Sequence, residues 1–124
     1  MPNLILEYTD NVEFDAHALF KQLHETMVET GAIRMKGLKS RSIKLTDYYL
    51  ADGDPDYKLV HLNIVLREGR SREVREDIAQ RAMTVLESTF GHYRDNGGHI
   101  SLTTDMKELE HGLALTNSNF PIKS

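Results

Sequence analysis

The chain has 124 residues, a length typical of one domain, so we predict a single domain over residues 1–124. Its 15 Lys and Arg against 19 Asp and Glu, with no basic block, argue against nucleic acid as a partner. The chain has no cysteine for disulfides or Cys-ligated zinc and no apolar run long enough to cross a membrane, so we expect a cytoplasmic protein.

The first half of the chain predicts a strand, a helix and a second strand. Pro2 precedes the apolar run Leu4-Ile5-Leu6, and proline is tolerated as the first residue of a strand. Apolar residues recur at helical spacing from Phe14 to Thr30. Asp15 is a suitable N-cap for this helix, and Gly31 suits its left-handed C-terminal cap.

Alternating apolar and polar residues then predict a strand over Ser42–Leu50 and another over Tyr57–Leu66. Residues 51–56 between them are rich in turn formers, so we expect the two strands to pair as an antiparallel hairpin. Ser71 is the expected N-cap of a second helix whose apolar stripe reaches Phe90. A last strand is predicted to begin near Ile100, and a polar tail leads to Phe120-Pro121-Ile122.

The order strand, helix, strand is therefore repeated, which predicts an α+β fold of duplicated β-α-β units. Parallel strands within each half and antiparallel pairing between halves give a four-stranded mixed sheet with both helices on one face. The other face and the Phe120-Pro121-Ile122 tail then lack cover within the chain. The simplest cover is another copy of the chain.

No pattern in the sequence predicts a metal site. Asp52, Asp54 and Asp56 resemble the start of a calcium loop, but Tyr57 stands where that loop requires glycine. His17 and His24 are two helical turns apart, about 10 Å, which is too far to share a metal ion. His61 lies within a strand and is interpreted as a hydrogen-bonded structural residue.

Three cations flank the ends of the predicted elements and are candidate carboxylate ligands. Lys39 and Arg41 lie at the start of the second strand, and Arg70 lies where the third strand leads into the second helix. Arginine binds a planar carboxylate through two parallel hydrogen bonds. Pro2 is a candidate general base, because removal of Met1 would leave it as an N-terminal secondary amine.

Taken together, these segments resemble the 5-carboxymethyl-2-hydroxymuconate Δ-isomerases of the tautomerase superfamily over nearly the whole chain. The matching segments are Pro2, residues 37–41 (GLKSR), residues 51–53 (ADG), Tyr57 with residues 60–61 (VH), and residues 69–71 (GRS). The resemblance implies a homotrimer without metal or organic cofactor, Pro2 as the catalytic base, and Arg41 and Arg70 as ligands of a dicarboxylate or tricarboxylate substrate. It further implies isomerisation of 5-carboxymethyl-2-hydroxymuconate in homoprotocatechuate degradation.

Lys39 departs from the resemblance, because close relatives have arginine there. Lysine keeps the positive charge but lacks the planar fork of arginine. Two alternatives therefore stay open: another 2-hydroxymuconate-type tautomerase that prefers a smaller diacid, and a non-catalytic trimeric binding protein.

Overall fold

The computed structural model describes residues 2–122 and contains four strands, two long helices and one short 3-10 turn. The elements are β1 (Asn3–Thr9), α1 (Ala16–Glu29), the 3-10 turn (Met35–Gly37), β2 (Lys39–Leu45), β3 (Lys58–Arg67), α2 (Arg72–Asp95) and β4 (Ile100–Leu109). The predicted α+β class, with two β-α-β units, is confirmed.

Both helices begin at the side chains that the sequence indicates. Asp15 Oδ1 accepts a hydrogen bond from the Ala18 N–H, and Ser71 Oγ accepts one from the Val74 N–H. Each bond satisfies an amide that the helix itself leaves unpaired. After α1 the chain turns at Gly31, whose φ of 77° lies in the left-handed region where glycine carries no steric cost.

The strand order in the sheet is β2-β1-β3-β4. Each β-α-β unit pairs its own two strands in parallel, β1 with β2 and β3 with β4, and β1 pairs with β3 in antiparallel register. The prediction that the second and third strands form a hairpin is therefore wrong. Residues 46–57 connect two strands that are separated by β1, and β2 spans Lys39–Leu45 rather than Ser42–Leu50.

The physical reason for this correction lies in the hydrophobicity of β1. Leu4 and Leu6 are fully buried and Ile5 is half-buried, whereas most of β2 is exposed. A strand with apolar residues on both faces is best placed in the centre of a sheet, and a polar strand at its edge. The two helical crossovers then leave β1 and β3 as the strands through which the halves meet.

The core lies between the sheet and the two helices, as predicted. The fully buried sheet residues on this side are Leu4, Leu6, Val60, Leu62, Ile64 and Leu66. The helices contribute a second buried set, namely Leu19, Leu23, Met27, Ile78, Ala82, Val85, Leu86 and Phe90. No helix in residues 2–122 is both long and apolar enough to span a membrane.

The opposite side of the sheet, which we call the open face, is not covered by a helix. Register and strand alternation assign Asn3, Ile5 and Glu7 of β1 to it. Their neighbours on the flanking strands share this face and are Lys39, Arg41, Ile43, His61, Asn63, Val65, Thr103, Asp105 and Lys107. In the tail, Phe120 and Ile122 keep 48% and 44% of their surface exposed.

Candidate active site

Pro2 is buried at the head of β1, where the sheet holds its backbone in place. Its carbonyl oxygen accepts a hydrogen bond of 3.1 Å from the Lys39 N–H, the first residue of β2. On the other side, Asn3 pairs with Val65, so Pro2 lies beside the last residues of β3. Strand alternation directs the Pro2 ring towards the helix-covered side together with Leu4 and Leu6.

Lys39 and Arg41 follow one another along the open face of β2. Lys39 is half-buried and pairs in register with Asn3, whereas Arg41 is exposed and pairs with Ile5, two residues further along the strand. Two residues of strand correspond to about 6.6 Å. Arg41 Nη1 lies 3.4 Å from Asn3 Oδ1, which directs the guanidinium back towards the end of the sheet that carries Pro2.

Arg70 lies at the same end of the sheet, where β3 leads into α2, and its guanidinium is already hydrogen-bonded to backbone carbonyls. Nε and Nη2 donate to the Ala32 carbonyl at 3.3 and 3.1 Å, and Nη1 donates to the Arg67 carbonyl at 3.2 Å. A guanidinium has five N–H groups, so these three bonds leave two donors for a ligand. Arg70 thereby also connects the segment after α1 to the end of β3.

The structure therefore brings the predicted site residues to one end of the sheet but not to one face of it. Pro2, Lys39 and Arg70 share one end of the sheet, and Arg41 reaches towards that end across the open face. The cations Lys39 and Arg41 lie on the open face, whereas the Pro2 ring faces the helices.

Two residues that sequence reasoning missed, Asn3 and Ala32, position these cations. Asn3 Oδ1 accepts a bond from Arg41, and the Ala32 carbonyl accepts two bonds from Arg70. Asn3 could have been predicted from its position. It directly follows the proline that begins the strand, and strand alternation places its polar side chain on the face opposite to Leu4. Ala32 acts through its backbone, so its side chain gives no signal.

The histidines behave differently from one another. Among the residues described, no group of three His, Cys, Asp or Glu side chains could hold a metal ion. His61 Nε2 lies 3.4 Å from Asp105 Oδ1, an ion-pair distance, but without hydrogen-bond geometry. His24 Nε2 lies 2.7 Å from Ser40 Oγ, and partial burial lowers the pKa of His24 below its usual value.

The turn between β2 and β3 is acidic. A hydrogen bond and the negative charge of Asp52 raise the pKa of Tyr57, and desolvation and Asp54 add to this effect. Asp10 likewise accepts a hydrogen bond from the Tyr48 hydroxyl at 2.9 Å and raises its pKa. These groups lie beyond the opposite end of β1 from Pro2, so they are separate from the candidate site.

The β-α-β duplication and the strand order β2-β1-β3-β4 are those of the α+β fold of the tautomerase superfamily. The family model for 5-carboxymethyl-2-hydroxymuconate isomerase matches residues 2–122, so the chain belongs to that family of isomerases. It is 28% identical over 121 residues to 5-carboxymethyl-2-hydroxymuconate Delta-isomerase of Escherichia coli, covering 96% of this chain and 95% of the relative.

Solved structures agree with this assignment. A 5-carboxymethyl-2-hydroxymuconate isomerase from Deinococcus radiodurans R1 has a TM-score of 0.88 and 26% identity, covering 95% of this chain and 90% of its own. A fused 4-OT wild-type symmetric trimer has a TM-score of 0.66 and 12% identity, covering 92% of this chain and 94% of its own. This second likeness concerns the fold alone.

Proposed function

We propose that this isomerase acts on 5-carboxymethyl-2-hydroxymuconate and converts it to its 2-oxo-3-ene isomer, a step of homoprotocatechuate (4-hydroxyphenylacetate) degradation. The observation that carries the proposal is the family match that starts at Pro2, together with the fixed, buried position of that proline at the head of β1. The named relatives of this chain support the choice of substrate.

In the proposed mechanism the nitrogen of Pro2 transfers one proton within the substrate. Removal of Met1, which lies outside the described residues, frees this nitrogen. Pro2 takes the proton of the 2-hydroxy group, the electron pair moves along the conjugated chain, and the same proton or its equivalent is delivered to a carbon. The C=C bond shifts, a carbonyl forms at the former hydroxyl carbon, and the enzyme returns to its starting state without a redox partner.

The surroundings of Pro2 favour its role as a base. Burial and nearby cations both disfavour a protonated amine, and we expect both to favour the unprotonated form of the proline nitrogen. Lys39 and Arg70 share its end of the sheet, and Arg70 keeps two guanidinium N–H groups for a substrate carboxylate. Fixed cations also stabilise the negative charge that develops on the dienolate oxygen during proton transfer.

The proposed active form is a homotrimer, in which the open face packs against neighbouring copies. Its apolar members Ile43 and Val65, and the exposed tail residues Phe120 and Ile122, have no helix over them in the described chain. In a closed ring of three, each copy contacts its neighbours through two different patches. Such packing would bring Arg41 on the open face against a neighbouring copy. Sedimentation at assay concentration tests this, and a stable, fully active monomer would contradict it.

A second candidate, another 2-hydroxymuconate-type tautomerase, is favoured by Lys39. An ammonium group binds a carboxylate as a point charge and does not form the paired bonds of a guanidinium. A substrate with fewer carboxylates would not need paired hydrogen bonds from residue 39.

The test of the proposed function is an ultraviolet assay of dienol turnover on a small panel of hydroxymuconates over pH 5 to 9. We expect kcat/KM to rise with pH through the pKa of Pro2, because only the unprotonated nitrogen accepts a proton. The midpoint should fall below about 7.7–8.0, the usual range of an exposed α-amino group. A flat profile, with chemistry shown to be rate-limiting, would exclude a titrating proline base.

A further inference from the structure

Residues 32–41, which we call the basic segment, lead from α1 into β2 and are fixed next to the candidate active site. The Ala32 carbonyl accepts two hydrogen bonds from Arg70, and the Lys39 N–H donates to the Pro2 carbonyl. Both partners belong to the candidate site. The chain between residues 32 and 39 therefore lies at the Pro2 end of the sheet, before β2 begins.

Two cations of this segment, Arg34 and Lys36, are held at the surface by their neighbours. Ile33 and Leu38 keep only 4% and 5% of their surface exposed, so they anchor the segment in the core. Between them, the Gly37 N–H donates to the Arg34 carbonyl at 3.1 Å and closes the 3-10 turn. With the backbone fixed in this way, Arg34 and Lys36 are both exposed to solvent.

The charge of these two side chains is not neutralised nearby. In the part of the chain that the structure describes, no carboxylate lies within 4.0 Å of either cation. The basic segment carries four cations and no carboxylate, whereas residues 46–57, beyond the other end of β2, carry four carboxylates and no cation. The seven residues of β2 separate the two segments by about 23 Å.

The Pro2 end of the sheet therefore has a positive local field, although the net charge of the chain is -4. Carboxylates at this end are fewer than cations. Glu108 is paired with Arg75, and Glu68 accepts a hydrogen bond from the His111 N–H.

We propose that Arg34 and Lys36 attract a polycarboxylate substrate to the Pro2 end of the sheet by their long-range field. They act before the substrate is bound, so they are not catalytic residues and need no fixed geometry. Because the attraction grows with the charge of the substrate, they favour a tricarboxylate over a dicarboxylate. The inference rests on the proposed function for the class of substrate, but not on the chemistry of Pro2.

The size of the effect follows from distance and screening. Lys36 precedes Lys39 by three residues, which places its charge about 10 Å from the site. At this distance in water, loss of one cation should lower kcat/KM about fourfold for a trianion and about 2.5-fold for a dianion, at an ionic strength of about 0.01 M. At about 0.3 M the loss for the trianion should be less than about twofold, because salt screens the field.

Steady-state kinetics of Lys36→Met and Arg34→Met over this range of ionic strength test the proposal. In the wild-type protein, kcat/KM should fall as salt is added, whereas a net charge of -4 alone would repel an anion and make it rise. In each variant the fall should be shallower, and the loss at low salt should appear in KM with kcat unchanged. Lys36→Arg keeps the charge and should keep the wild-type rate.

The matched control is Lys44→Met, which removes an exposed cation from the other end of β2, in register with Tyr8. It changes the net charge as Lys36→Met does, but should lower kcat/KM by less than about 1.5-fold at low salt, because its charge is farther from the site. Calorimetric titration with trimesate, a rigid benzene tricarboxylate that cannot tautomerise, needs no turnover. Its Kd should be about fourfold weaker in Lys36→Met than in the wild type at about 0.01 M.

Equal effects of Lys36→Met and Lys44→Met would overturn the proposal, since only net charge would then matter. It would also be wrong if Lys36→Arg lost as much as Lys36→Met, because a long-range field depends on charge and not on the shape of the side chain. Failure of the proposed function gives a different result. In that case no hydroxymuconate is isomerised, while trimesate still binds more weakly to Lys36→Met at low salt.

Discussion

Arg70→Ala is expected to lower both the stability and the activity of the protein, because Arg70 holds two backbone segments together. Its guanidinium donates two bonds to the Ala32 carbonyl and one to the Arg67 carbonyl. A hydrogen bond to a charged group contributes about 1.5–3 kcal/mol, but these bonds share acceptors and the residue is only half-buried. We therefore expect a loss of about 1–3 kcal/mol in the free energy of unfolding.

Urea denaturation and steady-state kinetics of the same preparations separate the two roles of Arg70. Turnover of a tricarboxylate should fall further than the unfolded fraction explains, since the two remaining N–H donors are proposed to bind substrate. Arg70→Lys should restore part of the stability, because an ammonium can reach one of the carbonyls. It should not restore substrate binding, because an ammonium cannot form two parallel hydrogen bonds to a carboxylate.

The matched control is Arg72→Ala, whose side chain is 82% exposed and which should change stability by no more than about 0.5 kcal/mol. If Arg70→Ala matched this control in stability, the argument from its hydrogen bonds would be wrong. If it lost stability but kept wild-type kinetics, Arg70 would hold the backbone without contacting substrate.

Lys39→Arg should change the ratio of triacid to diacid turnover if Lys39 contacts substrate, whereas unchanged kinetics on both would place its side chain outside the site. Phe90→Ala should cost about 3–5 kcal/mol in urea denaturation, because Phe90 is fully buried and packs on Phe14 at 5.2 Å between ring centroids. The exposed Gln80→Ala on the same helix should stay within about 0.5 kcal/mol, and equal losses would contradict the assigned core. Burial lowers the pKa of His24, so the unfolded chain binds more protons, and stability should fall as pH drops below about 6.5. His24→Gln should remove that part of the pH dependence, and an identical acid profile in both proteins would refute it.

The helices and their ends could be predicted from the sequence because the signals are local. Asp15 and Ser71 cap the helices through side chains a few residues from the amides they bind, and the Asp77–Arg81 ion pair spans one helical turn. The pairing of the strands is not local. The turn-rich residues 51–56 predicted a hairpin, but β1 lies between β2 and β3, because its residues Leu4 and Leu6 are fully buried whereas most of β2 is exposed.

The candidate site was predictable in its residue types but not in its arrangement. The positions of Pro2, Lys39, Arg41 and Arg70 near strand ends could be read from the sequence. The sequence does not show that Arg70 donates three N–H groups to backbone carbonyls, because the Ala32 carbonyl oxygen that accepts two of them is a backbone atom 38 residues away. Nor does it show that Arg41 and Pro2 face opposite sides of the sheet, which depends on the register of β1 with β2.

The most direct test of a proline base is to measure the turnover of one preparation before and after enzymatic removal of Met1. Intact mass gives the processed fraction, and the ultraviolet assay gives the rate of dienol isomerisation. A Pro2 that still carries Met1 is an amide without a basic nitrogen, so we predict a rate proportional to the processed fraction and close to zero when Met1 is fully retained. Protein that retains Met1 in full and isomerises the dienol as fast as processed protein would contradict the account.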